Sequence, residues 1–338
     1  MNLSQRVAAF VKLGDSIQEM DHEIKEELFW RAQNENNWFT EESISSALDG
    51  LAYMVQEKNL NKWLSFYDIP QKSNVKSIGI LMAGNIPLVG FHDFLTVLIS
   101  GNKACIKLSS SDSILMNWVF KKLVEIEPLF EPFIEVEEML KGKDAYIATG
   151  SDNSSRYFNY YFGKYPSVIR QNRTSVAILS GNENVEDLVS LGLDIFKYFG
   201  LGCRNVSKVY IKTEVQLQDL LGALEIYSFV GNHHKYRNNY DYNKSIYLVN
   251  SEKHLDNGFL LVKESSDLVS PISVLYYEKY DSKEELKNKL ESQKNKIQCI
   301  VSDTNYWTDA ISFGNAQNPE PWEYADQVDT LKFLIELN

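Results

Sequence analysis

Three cysteines occur in the chain, and one of them is placed for chemistry. Cys203 lies in Phe199-Gly-Leu-Gly-Cys-Arg-Asn-Val206, between two glycines and an arginine. Val185, Leu188, Val189, Ile195, Phe196 and Phe199 fall near helical spacing, which predicts an amphipathic helix over 185–199. Gly200 and Gly202 stop that helix, because glycine takes the left-handed geometry of helix ends without a Cβ penalty. Val206 to Lys212 then alternates like a strand. A thiol on such a corner, ringed by backbone N–H groups and beside a guanidinium, is lowered in pKa and freed as a nucleophile. The residues alone leave a second reading open, in which Cys203 is a small buried filler. Cys105 and Cys299 sit inside apolar strands and read as core.

Other residues carry weaker signals. Gly84-Asn85-Ile86-Pro87 follows an apolar strand, and the Asn85 carboxamide, fixed by the proline beyond it, suits an oxyanion; an Asx-turn explains it equally. Lys107-Leu-Ser109-Ser110 ends a second strand, where a lysine and hydroxyls suit a ribose or its phosphate, or a solvated lysine precedes a serine cap. Gly150-Ser151 opens a helix after a third strand, a place for a pyrophosphate or for an ordinary turn. The spacing is not G-x-G-x-x-G, so the standard dinucleotide fingerprint is absent. His233 and His234 are adjacent and so point apart, which argues for a loop and against a shared ligand. No cysteine or histidine spacing suits a metal.

The elements that position these residues read in order. Residues 1–65 are helical and polar, with Thr40 as an N-cap before Glu41 and Glu42. Strands are expected at 75–82, 103–108, 145–148, 167–169 and 175–179. Helices are expected at 89–99, 114–126 and 156–162. Strand, short Gly/Ser/Asn turn and helix repeat, which is a doubly wound α/β sheet whose ligands bind at the carboxyl ends of its strands. Beyond Cys203, strands are expected at 206–212, 245–250, 258–263, 272–277 and 297–302, with helices at 215–228 and 282–292. The resulting division is an N-terminal helical segment (1–65) packing on an α/β domain (66–198), a smaller α/β domain (199–325) and a tail (326–338).

Composition bounds the remaining possibilities. The 338 residues are 44% hydrophobic and 24% charged, the balance of a globular chain, with a formal net charge of −12. Such an acidic surface argues against nucleic acid and anionic membranes. Unpaired cysteines imply a reducing compartment. A weak, short apolar stretch near Met1 and the lack of a run of about 20 apolar residues give a cytoplasmic expectation without a membrane span.

Taken together, Asn85, Lys107, Gly150-Ser151 and Cys203 resemble, in order and separation, the motifs of the aldehyde dehydrogenase superfamily. More narrowly, Met-Ala-Gly-Asn-Ile-Pro, Lys-Leu-Ser-Ser, Gly-Leu-Gly-Cys-Arg-Asn-Val-Ser-Lys and Trp-Glu-Tyr-Ala-Asp-Gln-Val-Asp are similar to the LuxC-type acyl-CoA (fatty acyl) reductases, over residues 75–330. The resemblance implies an aldehyde-dehydrogenase-like fold with Cys203 as nucleophile and Asn85 as oxyanion donor. It implies that the first α/β domain (66–198) binds a cofactor and the second (199–325) is catalytic. It implies Lys107 and Ser109 at the adenosine ribose, Gly150 and Ser151 near the pyrophosphate, and Asp267, before Ser270-Pro271, at a second ribose. The water-activating glutamate of hydrolytic relatives is missing: that region reads Arg170-Gln-Asn-Arg-Thr174. The function so implied is reduction of an acyl thioester such as acyl-CoA to an aldehyde, with NADPH, or else NADH, as cofactor. An acyl-phosphate reductase and a non-catalytic scaffold are the alternatives. The chain is short for the family after Cys203; a homo-oligomer or an acyl-transferring partner protein is compatible with the rest.

Overall fold

The structure is a computed structural model that describes residues 1–70, 74–150 and 152–337. The chain divides into two compact units, residues 1–172 with 319–338, and residues 173–318.

The first unit opens with four helices, α1 (Leu3–Gln18), α2 (His22–Glu35), α3 (Glu41–Met54) and α4 (Glu57–Leu64). Each has an apolar stripe. Phe10, Leu13, Ile44, Leu48, Leu60 and Trp63 enter one core with the sheet that follows. Thr40 caps α3 as expected, its hydroxyl accepting from the Ser43 N–H at 3.2 Å. The sheet alternates with helices: β1 (Ser77–Leu81), α5 (Phe91–Ile99), β2 (Lys103–Lys107), α6 (Ser113–Ile126), β3 (Ile134–Val136), β4 (Ala145–Thr149), α7 (Asp152–Phe162) and β5 (Ser167–Arg170). Its strands lie in the order β3-β2-β1-β4-β5, all parallel. Chain direction across the sheet reverses at β1, so the turns after β1 and β4 flank a topological switch point. The three-residue β3 is too short and too exposed to have shown a pattern in the sequence.

The second unit holds β6 (Thr174–Ile178), α8 (Val185–Phe196), β7 (Val206–Ile211), α9 (Val215–Ala223) and α10 (His234–Val249). After these come β8 (Leu255–Asp256), β9 (Leu261–Glu264), β10 (Val274–Lys279), α11 (Lys283–Ser292) and β11 (Ile297–Val301). Its sheet runs β11-β6-β7-β10-β9-β8, parallel except for the β8–β9 edge. The tail returns to the first unit and ends in α12 (Thr330–Glu336).

Three expectations need correction. The strand at 175–179 is β6, and it pairs with β7 and β11 in the second sheet, not with the first; the division therefore falls at 172/173 and not at 198/199. Residues 319–325 belong with the first unit, because Tyr324 accepts a hydrogen bond from Trp63 Nε1 at 2.7 Å and joins that core. Residues 245–250 are the last turn of α10 and its cap, not a strand. The apolar run Ile246 to Val249 hides a helical stripe, Tyr236, Tyr240, Asn243 and Tyr247, which is the buried face.

Candidate active site

In the first unit, four of the residues singled out from sequence gather at the carboxyl edge of the sheet. Leu81 of β1 is in register with Lys107 of β2 and Ala148 of β4, so the turns carrying Asn85, Lys107, Ser109 and Gly150 leave the same edge. Asn85 and Lys107 are exposed, and Ser109 and Gly150 half-buried. Ser151 lies outside the described residues. Gly84 must be glycine: a Cβ there would sit 2.7 Å from Ser109 Cβ and 3.3 Å from Asp112 Cβ. Its carbonyl and that of Ser111 both face the Asn36 carboxamide, at 3.5 and 3.2 Å.

Asp112 holds the Asn85 turn from below. Its Oδ2 accepts from the Leu88 N–H at 2.7 Å, while Leu88 takes a left-handed φ of 58°. The side chain is 1% exposed and Oδ1 has no partner among the described residues. Burial pushes its pKa up to about 8, against the pull of the Leu88 N–H. The first turn of α6 is closed by Glu35, which accepts from the Ser113 N–H (2.9 Å), the Ile114 N–H (3.0 Å) and the Ser113 hydroxyl. Sequence reasoning missed Asn36, Glu35 and Asp112, since the first two come from the N-terminal helices and the third reads as an ordinary cap.

In the second unit, Cys203 occupies the corner between α8 and β7 and is half-buried. The corner is strained. Tyr198, Phe199 and Gly200 take φ of 53°, 56° and 78°, and left-handed backbone costs about 1–2 kcal/mol at each non-glycine residue. It is held by Asn205, which is 3% exposed. Asn205 Oδ1 accepts from the Gly202 N–H at 2.8 Å, and Nδ2 faces the carbonyls of Asp194 (3.1 Å), Ile195 (3.3 Å) and Lys197 (2.8 Å). Ser175 Oγ of β6 donates to the Cys203 carbonyl at 3.0 Å. Arg204 Nη1 donates to the Ala316 carbonyl at 3.3 Å, and the neighbouring segment is fastened by buried Asp194, which accepts from the Gly314 and Ala316 N–H groups at 2.6 and 2.9 Å. Burial pushes Asp194 up to about 6, against those two bonds and Lys197.

Cys299, read as core, is half-buried beside this corner, its sulfur 3.0 Å from Ser175 Oγ. Burial pushes its thiol up to about 11, so it stays protonated at neutral pH. Cys105 is buried as expected, its pKa raised by burial. Its sulfur and the carboxylates of Glu135 and Glu137 lie within 4.8 Å of one another, but Lys103 and Lys143 pair with those carboxylates and already supply the cationic charge. His233 caps α10, accepting from the Tyr236 N–H at 3.4 Å, and its ring stacks on that of His234 with centroids 5.1 Å apart, so the two do not point apart as expected. Exposed Asp267 lies in the β9–β10 loop, whose Leu268 carbonyl accepts from Ser207 Oγ at 2.7 Å. That contact brings the loop to the amino-terminal edge of the sheet, where the Cys203 corner enters β7.

The fold is that of aldehyde dehydrogenases. A putative aldehyde dehydrogenase from Burkholderia cenocepacia superposes with a TM-score of 0.67 at 13% identity, covering 89% of this chain and 74% of that one. The aldehyde dehydrogenase of Mycobacterium tuberculosis complexed with NAD+ gives 0.65 at 13% identity, over 89% and 73%. The NADP-dependent glyceraldehyde-3-phosphate dehydrogenase of Bacillus halodurans complexed with NADP gives 0.64 at 14% identity, over 90% and 75%. No family profile matches the sequence. Among curated proteins, the chain is similar to the long-chain acyl-protein thioester reductase of Aliivibrio fischeri, 24% identical over 169 residues. That match covers 45% of this chain and 35% of the relative's length. The LuxC-type resemblance read from the motifs thus has a thioester reductase as its curated counterpart. Among the described residues, no helix is long and apolar enough to cross a membrane.

Proposed function

We propose that the chain reduces a long-chain acyl thioester to an aldehyde through an acyl-cysteine on Cys203. The observation that carries this reading is the Cys203 corner: a half-buried thiol on a strained turn, pinned by Asn205 and Ser175, with Arg204 next in the chain. In this reading the Cys203 thiolate attacks the thioester carbonyl, the S-acyl bond moves to Cys203, and the thiol of the donor, coenzyme A or a carrier cysteine, leaves. A bound nicotinamide cofactor, NADPH or else NADH, would supply a hydride to that acyl group, and Cys203 would then leave as thiolate when the resulting thiohemiacetal oxyanion collapses to the aldehyde. Arg204 favours the thiolate by its charge, and the carboxamide of Asn85 is assigned as an oxyanion donor by its motif.

The first sheet offers residues that fit such a cofactor. Exposed Lys107 ends β2, and half-buried Ser109 follows it, packed directly on Gly84. Lys107 and Ser109 would meet the adenosine ribose and its 2′-phosphate, Gly150 and Ser151 the pyrophosphate, and Asp267 the other ribose. The segment Arg170 to Thr174 supplies no carboxylate to activate water, which favours hydride or a thiol as the acyl acceptor.

Cys203→Ala tests the reading. Incubated with long-chain acyl-CoA and no cofactor, the native chain is expected to gain a hydroxylamine-sensitive acyl mass on the Cys203 peptide. The variant is expected to gain none while quenching NADPH fluorescence as before. Full reductase turnover by the variant discards the mechanism. Rejection of long-chain thioesters in favour of small acyl phosphates moves the protein to the acyl-phosphate class.

A further inference from the structure

We infer that Asn205 is the positioning residue of the Cys203 thiol, acting through the turn between them; this rests on the proposed role of Cys203 as nucleophile. The last carbonyls of a helix have no partner within it. Here α8 meets three of them, Asp194, Ile195 and Lys197, with one side-chain amide from beyond the nucleophile. The same carboxamide turns its oxygen to the Gly202 N–H, one residue before Cys203. A single planar group therefore joins the end of the helix to the residue preceding the thiol, across a stretch whose Tyr198 and Phe199 are held left-handed. The hydrogen bonds of that one carboxamide offset the left-handed strain of Tyr198 and Phe199. Ser175 fixes the Cys203 carbonyl from the other side, and its own N–H donates to the Asn205 carbonyl at 3.2 Å. Cys203 is thus held before and after its α-carbon by hydrogen bonds to the backbone on either side. The turn takes an acceptor for the Gly202 N–H and a donor for three carbonyls from one side chain, which an amide supplies and a carboxylate does not.

The experiment compares native chain, Asn205→Ala and Asn205→Asp by the rate of acylation from long-chain acyl-CoA and the rate of Cys203 alkylation by iodoacetamide, followed by peptide mass. Asn205→Ala is expected to slow both about tenfold or more, with NADPH binding unchanged. Asn205→Asp keeps the acceptor for Gly202 but sets a negative charge against three carbonyls. At pH 8 it is expected to be slow, and its rate relative to the native chain is expected to rise as the pH falls to 5.5 and the introduced carboxylate gains a proton able to donate. Native rates in Asn205→Ala overturn the inference. If that variant is unfolded, the Asp variant decides: a pH-independent ratio to the native chain overturns it. Slowed alkylation of Cys203 alongside undiminished turnover in Cys203→Ala would instead overturn the proposed function.

Discussion

Two buried carboxyls, Asp112 under the Asn85 turn and Asp194 under the Cys203 corner, are each held above the ordinary carboxylate range by burial. The folded chain keeps a proton on Asp112 up to about pH 8, whereas the unfolded chain gives it up near 4. Stability from this group is therefore complete below about pH 4 and lost as pH rises through 8. Asp112→Asn keeps the acceptor for the Leu88 N–H and cannot ionise. Its melting temperature relative to the native chain is expected to rise steadily between pH 5 and 8.5; a constant difference would mean that the carboxyl is ionised throughout. Asp194 has the same sign over a lower window: its contribution to stability is complete below about pH 4 and lost as pH rises through about 6, although the carboxylate so formed accepts more strongly from the Gly314 and Ala316 N–H groups.

Among the elements, β5 and β6 carry the clearest test. Both are short apolar strands only three residues apart, yet each pairs in a different sheet. Arg170, the last residue of β5, is 3% exposed and reaches Asp93 of α5 at 2.6 Å and Thr330 of α12 at 2.7 Å. Arg170→Met would leave Asp93 a buried charge without its counterion, and is expected to cost about 3–5 kcal/mol of stability in urea unfolding. Adding Asp93→Leu is expected to recover most of that loss, a result that an independent role for each residue would not give. The parallel strands and their turns were legible because continuous apolar runs end in Gly, Ser and Asn. Sheet membership was not, since pairing depends on partners far away in sequence: β6 takes β11, more than a hundred residues on. Helix α10 was misread because four consecutive apolar residues at its end outweighed a tyrosine stripe spread over three turns. Cys203, Asn85 and Lys107 stand out by residue type, and their proposed roles rest on that; Asn205, Asp112 and Glu35 act through backbone groups, and backbone partners leave no trace in side-chain patterning.

At the scale of the whole molecule, the second unit is one continuous insertion, 173–318, within the first. The tail completes the core of the first unit. Tyr324, Leu331 and Leu334 enter its core, and Tyr324 accepts from Trp63 while Tyr67 donates to Asp329 at 2.9 Å. A fragment of residues 173–318 is expected to fold alone, with a dispersed amide spectrum and cooperative melting. Residues 1–172 without the tail are expected to bind a hydrophobic dye and to be cut by protease within the sheet. A cooperative, dye-free 1–172 fragment would show the tail to be dispensable.

That interleaving also sets an order of events during synthesis. When the ribosome has released the last residue of the insertion, the strands around Cys203 have every neighbour they need, while the earlier-made sheet still lacks Tyr324, Leu331 and Leu334. In chain order, the corner that bears the thiol is thus complete before the segment that brings Tyr324, Leu331 and Leu334 to the N-terminal sheet has been made.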